Sequence, residues 1–101
     1  MSKNYKVIMY TRNNCPPCEE MGTYPSASAA TKGYTYESIT LSGYSKELGR
    51  PIGLVGYPWF VLQDRDISTD QISSTDDSSI VDSFLGGNQA RFDILIESIG
   101  E

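Results

Sequence analysis

At 101 residues the chain is long enough for one hydrophobic core and too short for two comfortable domains, so residues 1–101 are read as a single domain. A hydrophobic fraction of 39% and an aromatic content of 11%, led by seven tyrosines, exclude a disordered chain. A formal net charge of −5 without a long Lys/Arg run leaves no electrostatic footprint for nucleic acid or for an anionic membrane.

In chain order, Lys6 to Tyr10 is a short apolar run and reads as a buried first strand, with Thr11 to Asn14 as the loop after it. Pro16 and Pro17 suit the first turn of a helix, where the missing proline N–H costs nothing, and Glu19 and Glu20 favour the positive end of its dipole. Cys18, Met21, Pro25 and Ala29 recur at intervals of three and four and mark one helix face. Pro25 is expected to kink this helix near Gly22 or break it, and Lys32-Gly33 to stop it.

Tyr34 to Leu41, rich in aromatic and β-branched residues, reads as a second strand reached by a helical crossover, which makes a βαβ unit with parallel strands. Ser45 to Gly49 carries a weak signal for one or two helical turns. Trp59 to Leu62 is a third strand entered through Gly56-Tyr57-Pro58. Ser68 to Ser79 is polar except for Ile72, and reads as an exposed loop or hairpin tip that buries little.

Ile80 to Leu85 is a fourth strand, Gly86-Gly87 a turn, and Asn88 the N-cap of a last helix. Phe92, Leu95, Ile96 and Ile99 form the apolar stripe of that helix, and Gly100 ends it. The expected architecture is α/β: a four-stranded mixed sheet, βαβ then ββα, flanked by about three helices, with the last helix covering the face opposite the first.

No stretch approaches the roughly 18 to 20 apolar residues of a membrane span. The segment from Met1 to Lys6 is polar rather than a signal-peptide core, so the expected address is cytoplasmic. The chain has no histidine, which removes the commonest general base and most zinc sites. The two cysteines, Cys15 and Cys18, stand three apart at a strand-to-helix junction. A thiol there meets unpaired backbone N–H groups and the positive end of the dipole, both of which favour thiolate. Cys15 is therefore read as the exposed attacking sulfur, aided by Arg12, and Cys18, one turn further in, as the resolving thiol. A structural disulfide, or half of a zinc site completed by a second chain, are the alternatives.

The segment Tyr10-Thr11-Arg12-Asn13-Asn14-Cys15-Pro16-Pro17-Cys18 resembles the active-site segment of glutaredoxins. Tyr57-Pro58 looks like the cis-proline loop of the thioredoxin superfamily, and Gly86-Gly87 is similar to the glutaredoxin Gly-Gly turn. The resemblance implies a thioredoxin fold and glutathione-dependent thiol–disulfide exchange, with no bound cofactor or metal, glutathione as co-substrate and a redox-active Cys15–Cys18 disulfide. By the same resemblance Arg12 would hold the glycine carboxylate of glutathione and the backbone of Tyr57 its cysteinyl part. Asn88 and Gln89 would meet its γ-glutamyl end, with Pro17, Pro58 and Gly87 lining the same groove. The implied partners are glutathione and disulfide-containing proteins, ribonucleotide reductase among them, met by a monomer.

The sequence departs from that family at Pro17, where glutaredoxins usually carry Tyr or Phe, before Pro58, where they carry Thr-Val, and near Gln89, where they carry an acidic residue. It departs from thioredoxins at Asn14, which stands in place of tryptophan, and at Met9, which stands in place of a buried aspartate. A thioredoxin-like reductant of proteins and a thioredoxin-fold binding subunit of a larger complex are the competing functions.

Overall fold

The computed structural model describes residues 4–12, 14–41, 56–72, 74 and 76–97. The described elements are β1 (Tyr5–Arg12), α1 (Pro16–Met21), α2 (Tyr24–Thr31), β2 (Thr35–Leu41), β3 (Trp59–Asp64), β4 (Ile80–Leu85) and α3 (Gln89–Ile96). They form a four-stranded mixed sheet in the order β2-β1-β3-β4, with β1 parallel to β2 and antiparallel to β3, and β3 antiparallel to β4. The expected βαβ then ββα order holds. The expected helix at 45–49, and Ile99 and Gly100, lie outside the described residues.

β1 is longer than expected and runs through Thr11 and Arg12, because both residues continue the parallel ladder opposite Thr40 and Leu41. Sequence alone favours a loop there, since Thr-Arg-Asn-Asn is polar; the ladder's backbone bonds override that local preference. The helix that follows breaks where Pro25 requires it. α1 stops at Gly22, whose φ of 53° lies in the left-handed region, and α2 restarts with a proline in its first turn. Cys18, Met21, Pro25 and Ala29 are all buried, so the apolar face survives the break.

Successive residues of a strand point to opposite faces, and here each face has its own core. Val7, Met9, Phe60, Leu62 and Phe84 face Cys18, Met21, Ala29, Phe92, Leu95 and Ile96. Ile8, Tyr10, Trp59 and Val61 face the other way and pack with Ile72. α3 therefore lies on the same face as α1 and α2, not opposite them as expected. Phe92 sets edge-on to both Phe60 and Tyr24, and the Tyr24 hydroxyl bonds the Asp93 carboxylate, joining α2 to α3 directly. Burying Phe92, Leu95 and Ile96 is worth about 1.5–3 kcal/mol each, against ~1 kcal/mol for the cap that Asn88 gives the Arg91 N–H at 3.0 Å. Packing thus decides where α3 sits, and the cap decides only where it begins.

The polar segment between β3 and β4 also departs from expectation. Although most of its side chains are exposed, Ile72 is 1% exposed and closes the second core. Gln63, wholly buried, holds the segment: its Nε2 donates to the Asp70 carbonyl at 2.9 Å and the Ser79 hydroxyl at 3.1 Å, and its Oε1 accepts from Arg65 at 2.8 Å. Ser79 in turn donates to Asp77 at 2.7 Å, and Arg65 reaches the Thr69 carbonyl at 2.7 Å. A buried amide is tolerated because all of these groups are paired. Among the described residues no helix is long and apolar enough to cross a membrane.

Candidate active site

β1 delivers the chain to the site, and the turn after it is shaped residue by residue. Arg12 Nη1 donates to the Asn14 carbonyl at 3.2 Å, and Asn14 adopts a φ of 57°, a left-handed conformation that asparagine tolerates better than most residues. Cys15 then caps α1, its Sγ accepting the Cys18 N–H at 3.3 Å while its carbonyl accepts the Glu19 N–H at 3.0 Å. One of the orphan donors at the helix start is thereby aimed at sulfur. Pro16 and Pro17 occupy the first turn, as their spacing predicts, and Glu19 and Glu20 turn out to solvent.

Cys15 and Cys18 form a disulfide, with Cα atoms 5.2 Å apart. In this oxidised state Cys15 is 2% and Cys18 5% exposed. The expectation of an exposed Cys15 is not met. A bonded Cys15 Sγ is drawn toward the core-facing stripe that carries Cys18, and both cysteines join the first apolar cluster.

Two further segments meet α1 or the apolar cluster that the cysteines join. The Tyr57–Pro58 peptide bond is cis, as the resemblance implies, and Tyr57 packs against the cluster that contains Cys15 and Cys18. The Pro58 carbonyl accepts the Gly86 N–H at 2.9 Å, which ties the proline loop to the Gly86-Gly87 turn. That turn meets α1 at close range: a Cβ built on Gly87 would lie 2.6 Å from the Pro17 carbonyl oxygen and 3.2 Å from its Cβ. Glycine is required at 87 by this approach, whereas Gly86 serves through its φ of 115°.

Gly87 thus packs on Pro17, which lies between the two cysteines in sequence; Pro58 is tied to the same turn through Gly86, and Tyr57 packs against the apolar cluster that the cysteines join. Asn88 and Gln89 follow at the start of α3, where the Asn88 side chain is engaged in capping and Gln89 is exposed. Arg12, also exposed, lies at the end of β1 and braces the turn before Cys15.

Leu85, which ends β4 beside the Gly86-Gly87 turn, is 51% exposed and has its Cδ atoms 3.4 Å from where a Gly56 side chain would begin. Its place just before Gly-Gly is plain in the sequence, but strand periodicity does not reveal that it faces solvent. Among the described residues, no group of three or more His, Cys, Asp or Glu side chains is placed to hold a metal.

No family model matches the chain, and no curated protein sequence matches it. Solved structures do. Thioredoxin f from spinach chloroplast, long form, superposes with a TM-score of 0.72 at 15% identity over 99% of this chain and 74% of that one. Fasciola hepatica thioredoxin gives a TM-score of 0.70 at 17% identity over 96% of this chain and 82% of its own. A complex of ferredoxin:thioredoxin reductase with thioredoxin f2 gives 0.72 at 14% identity over 99% and 81%. With the sheet order and the cysteine pair, these likenesses define the class: the chain has the thioredoxin fold and carries a Cys-x-x-Cys pair at the start of α1.

Proposed function

We propose that the chain is a dithiol thiol–disulfide oxidoreductase in which Cys15 attacks and Cys18 resolves. One observation carries this reading: the two cysteines are joined as a disulfide at a helix N-terminus, with the Cys18 N–H donated to Cys15 Sγ at 3.3 Å. An N–H aimed at Cys15 Sγ favours its thiolate, the nucleophilic form, once the pair is reduced. The Cys15 thiolate attacks one sulfur of a substrate disulfide, a mixed disulfide forms, and the other substrate sulfur leaves as thiolate. Cys18, deprotonated, then attacks Cys15 Sγ, which forms the intramolecular disulfide and releases the second substrate thiol. Two electrons have passed to the substrate, and an external thiol reductant must restore the pair.

Glutathione is the proposed reductant, acting as co-substrate with no bound cofactor. The support is the segment Arg12 to Cys18 and the Gly86-Gly87 turn, with Arg12, Tyr57, Asn88 and Gln89 as the proposed contacts. The proposed working unit is a cytoplasmic monomer of one domain, 1–101, with disulfide-bonded proteins, ribonucleotide reductase among them, as substrates. The second reading, a thioredoxin-like protein served by a protein reductase, is favoured by the likeness of this chain to solved thioredoxin structures. A pure binding subunit is disfavoured, because such a role has no need of a cysteine pair.

The test is to supply reducing equivalents either as glutathione with glutathione reductase or through thioredoxin reductase, and to add Cys18→Ser and Cys15→Ser. The glutathione reading expects turnover with the first system and a Cys18→Ser variant that still removes glutathione from a glutathionylated substrate, while Cys15→Ser does not. Turnover with thioredoxin reductase alone, and a Cys18→Ser variant inactive in deglutathionylation, would replace that reading with the thioredoxin one. Inactivity of the wild type with both systems would remove the enzyme reading altogether.

A further inference from the structure

β4 is an outermost strand among the described residues, and its free edge is occupied in an unusual way. The Gly86 N–H bonds the Pro58 carbonyl, and the register pairs Phe60 with Phe84 and Val61 with Ser83. In an antiparallel ladder, residues bonded to the partner alternate with residues whose backbone groups face away from it. Phe84 therefore bonds toward β3, whereas the N–H and C=O of Ser83 and Leu85 face the open edge.

At Ser83 both of these groups are taken up by side chains. The Ser83 N–H donates to Asp82 Oδ1 at 2.8 Å, and the Ser83 carbonyl accepts from Arg91 Nη2 at 3.3 Å. Arg91 also reaches both carboxylate oxygens of Asp82, at 3.4 and 3.5 Å, and its guanidinium lies 5.0 Å from the Phe84 ring centroid. The result is a closed ring: carboxylate, amide, carbonyl and guanidinium, each bonded to the next.

The Asp82–Arg91 pair, with side chains 27% and 35% exposed and 3.4 Å apart, is open enough to solvent that an ion pair of this kind contributes about 1 kcal/mol to stability, so stability alone is a poor reason for the arrangement. An unpaired edge with apolar side chains is a ready template for another strand, and Val81 and Leu85 flank Ser83 at 42% and 51% exposure. We infer that the Asp82–Arg91 pair is an edge guard, which keeps a second copy of this chain from adding its own β4 as an antiparallel strand at Ser83.

Sedimentation velocity over a range of concentrations tests this without reference to thiol chemistry. The wild type should remain monomeric, and Asp82→Ala/Arg91→Ala should shift to dimer as concentration rises. Adding Ser83→Pro to the double variant should restore the monomer, because that N–H faces away from β3 and its loss costs no bond within the sheet. A folded double variant that stays monomeric, a dimer that survives Ser83→Pro, or a wild type that dimerises would each overturn the inference. Amide exchange on the wild type tests the same ring whatever the fate of the variants: Ser83 should exchange more slowly than Leu85, which faces the same edge, and equal rates would show that the ring does not hold the edge closed.

Discussion

Tyr10 lies at the centre of the second core, 1% exposed and stacked on Trp59 with ring centroids 5.3 Å apart. Among the described residues its buried hydroxyl has no hydrogen-bond partner, and burial first, then the charges of Glu37 and Asp77, push its pKa from 10.0 to about 12. The folded state thus favours the neutral phenol. The folded pKa exceeds the unfolded one, so the stabilisation is fully present below about pH 10 and is lost as the pH rises through about 12. A shift of this size corresponds to about 2–3 kcal/mol. Tyr10→Phe should therefore unfold at a similar urea concentration to the wild type near neutral pH, since no bond is lost, and should retain its stability better at about pH 11. A variant that loses as much stability as the wild type between about pH 9 and about pH 11 would show that Tyr10 is not the group responsible.

The segment between β3 and β4 shows how one side chain changes the meaning of an element. With Ile72 inserted against Ile8, Tyr10, Trp59 and Val61, the segment covers one face of the sheet, and the Gln63 amide fixes both of its arms. Replacing it by a short turn would uncover that core, so the segment is structural rather than dispensable. Ile72→Ala should cost about 2–5 kcal/mol, the usual range for emptying a buried aliphatic site. Ile67→Ala, at a position 61% exposed in the same segment, should stay within about 0.5 kcal/mol of the wild type. Urea unfolding of the two variants side by side distinguishes them, and equal losses would contradict the assigned cover.

Across the molecule, the two cores share the same strands. Val7 and Met9 alternate with Ile8 and Tyr10 in β1, and Phe60 and Leu62 alternate with Trp59 and Val61 in β3. A strand cannot leave one core while staying in the other, so the described part of the chain should unfold as one unit. The only tryptophan, Trp59, reports on the second core, and far-UV circular dichroism reports on the helices packed over the first. Their urea transitions should coincide, and an earlier loss of Trp59 signal would mean that the second core melts by itself.

The local chemistry of this protein was legible in its residue order. Proline at the first turn, a break just before Pro25, a cap at Asn88 and the placing of Cys15 and Cys18 at a helix start each depend on atoms within a few residues, so local spacing carries them. Resemblance supplied the cis bond before Pro58, and with it the redox role of the Cys15–Cys18 pair. What the tertiary structure decided has partners distant in sequence. A helical stripe at Phe92, Leu95 and Ile96 says that α3 buries a face, but it does not say against which side of the sheet, and the aromatic contacts to Phe60 and Tyr24 settle that. Ile72 is one apolar residue in a polar run, so local composition assigns it to solvent, while the gap over Tyr10 and Trp59 buries it. Asp82 and Arg91 look like ordinary surface charges until the ladder register turns the Ser83 backbone outward between them. Periodicity fixes which way a side chain points on its own element, and only packing fixes what it meets there.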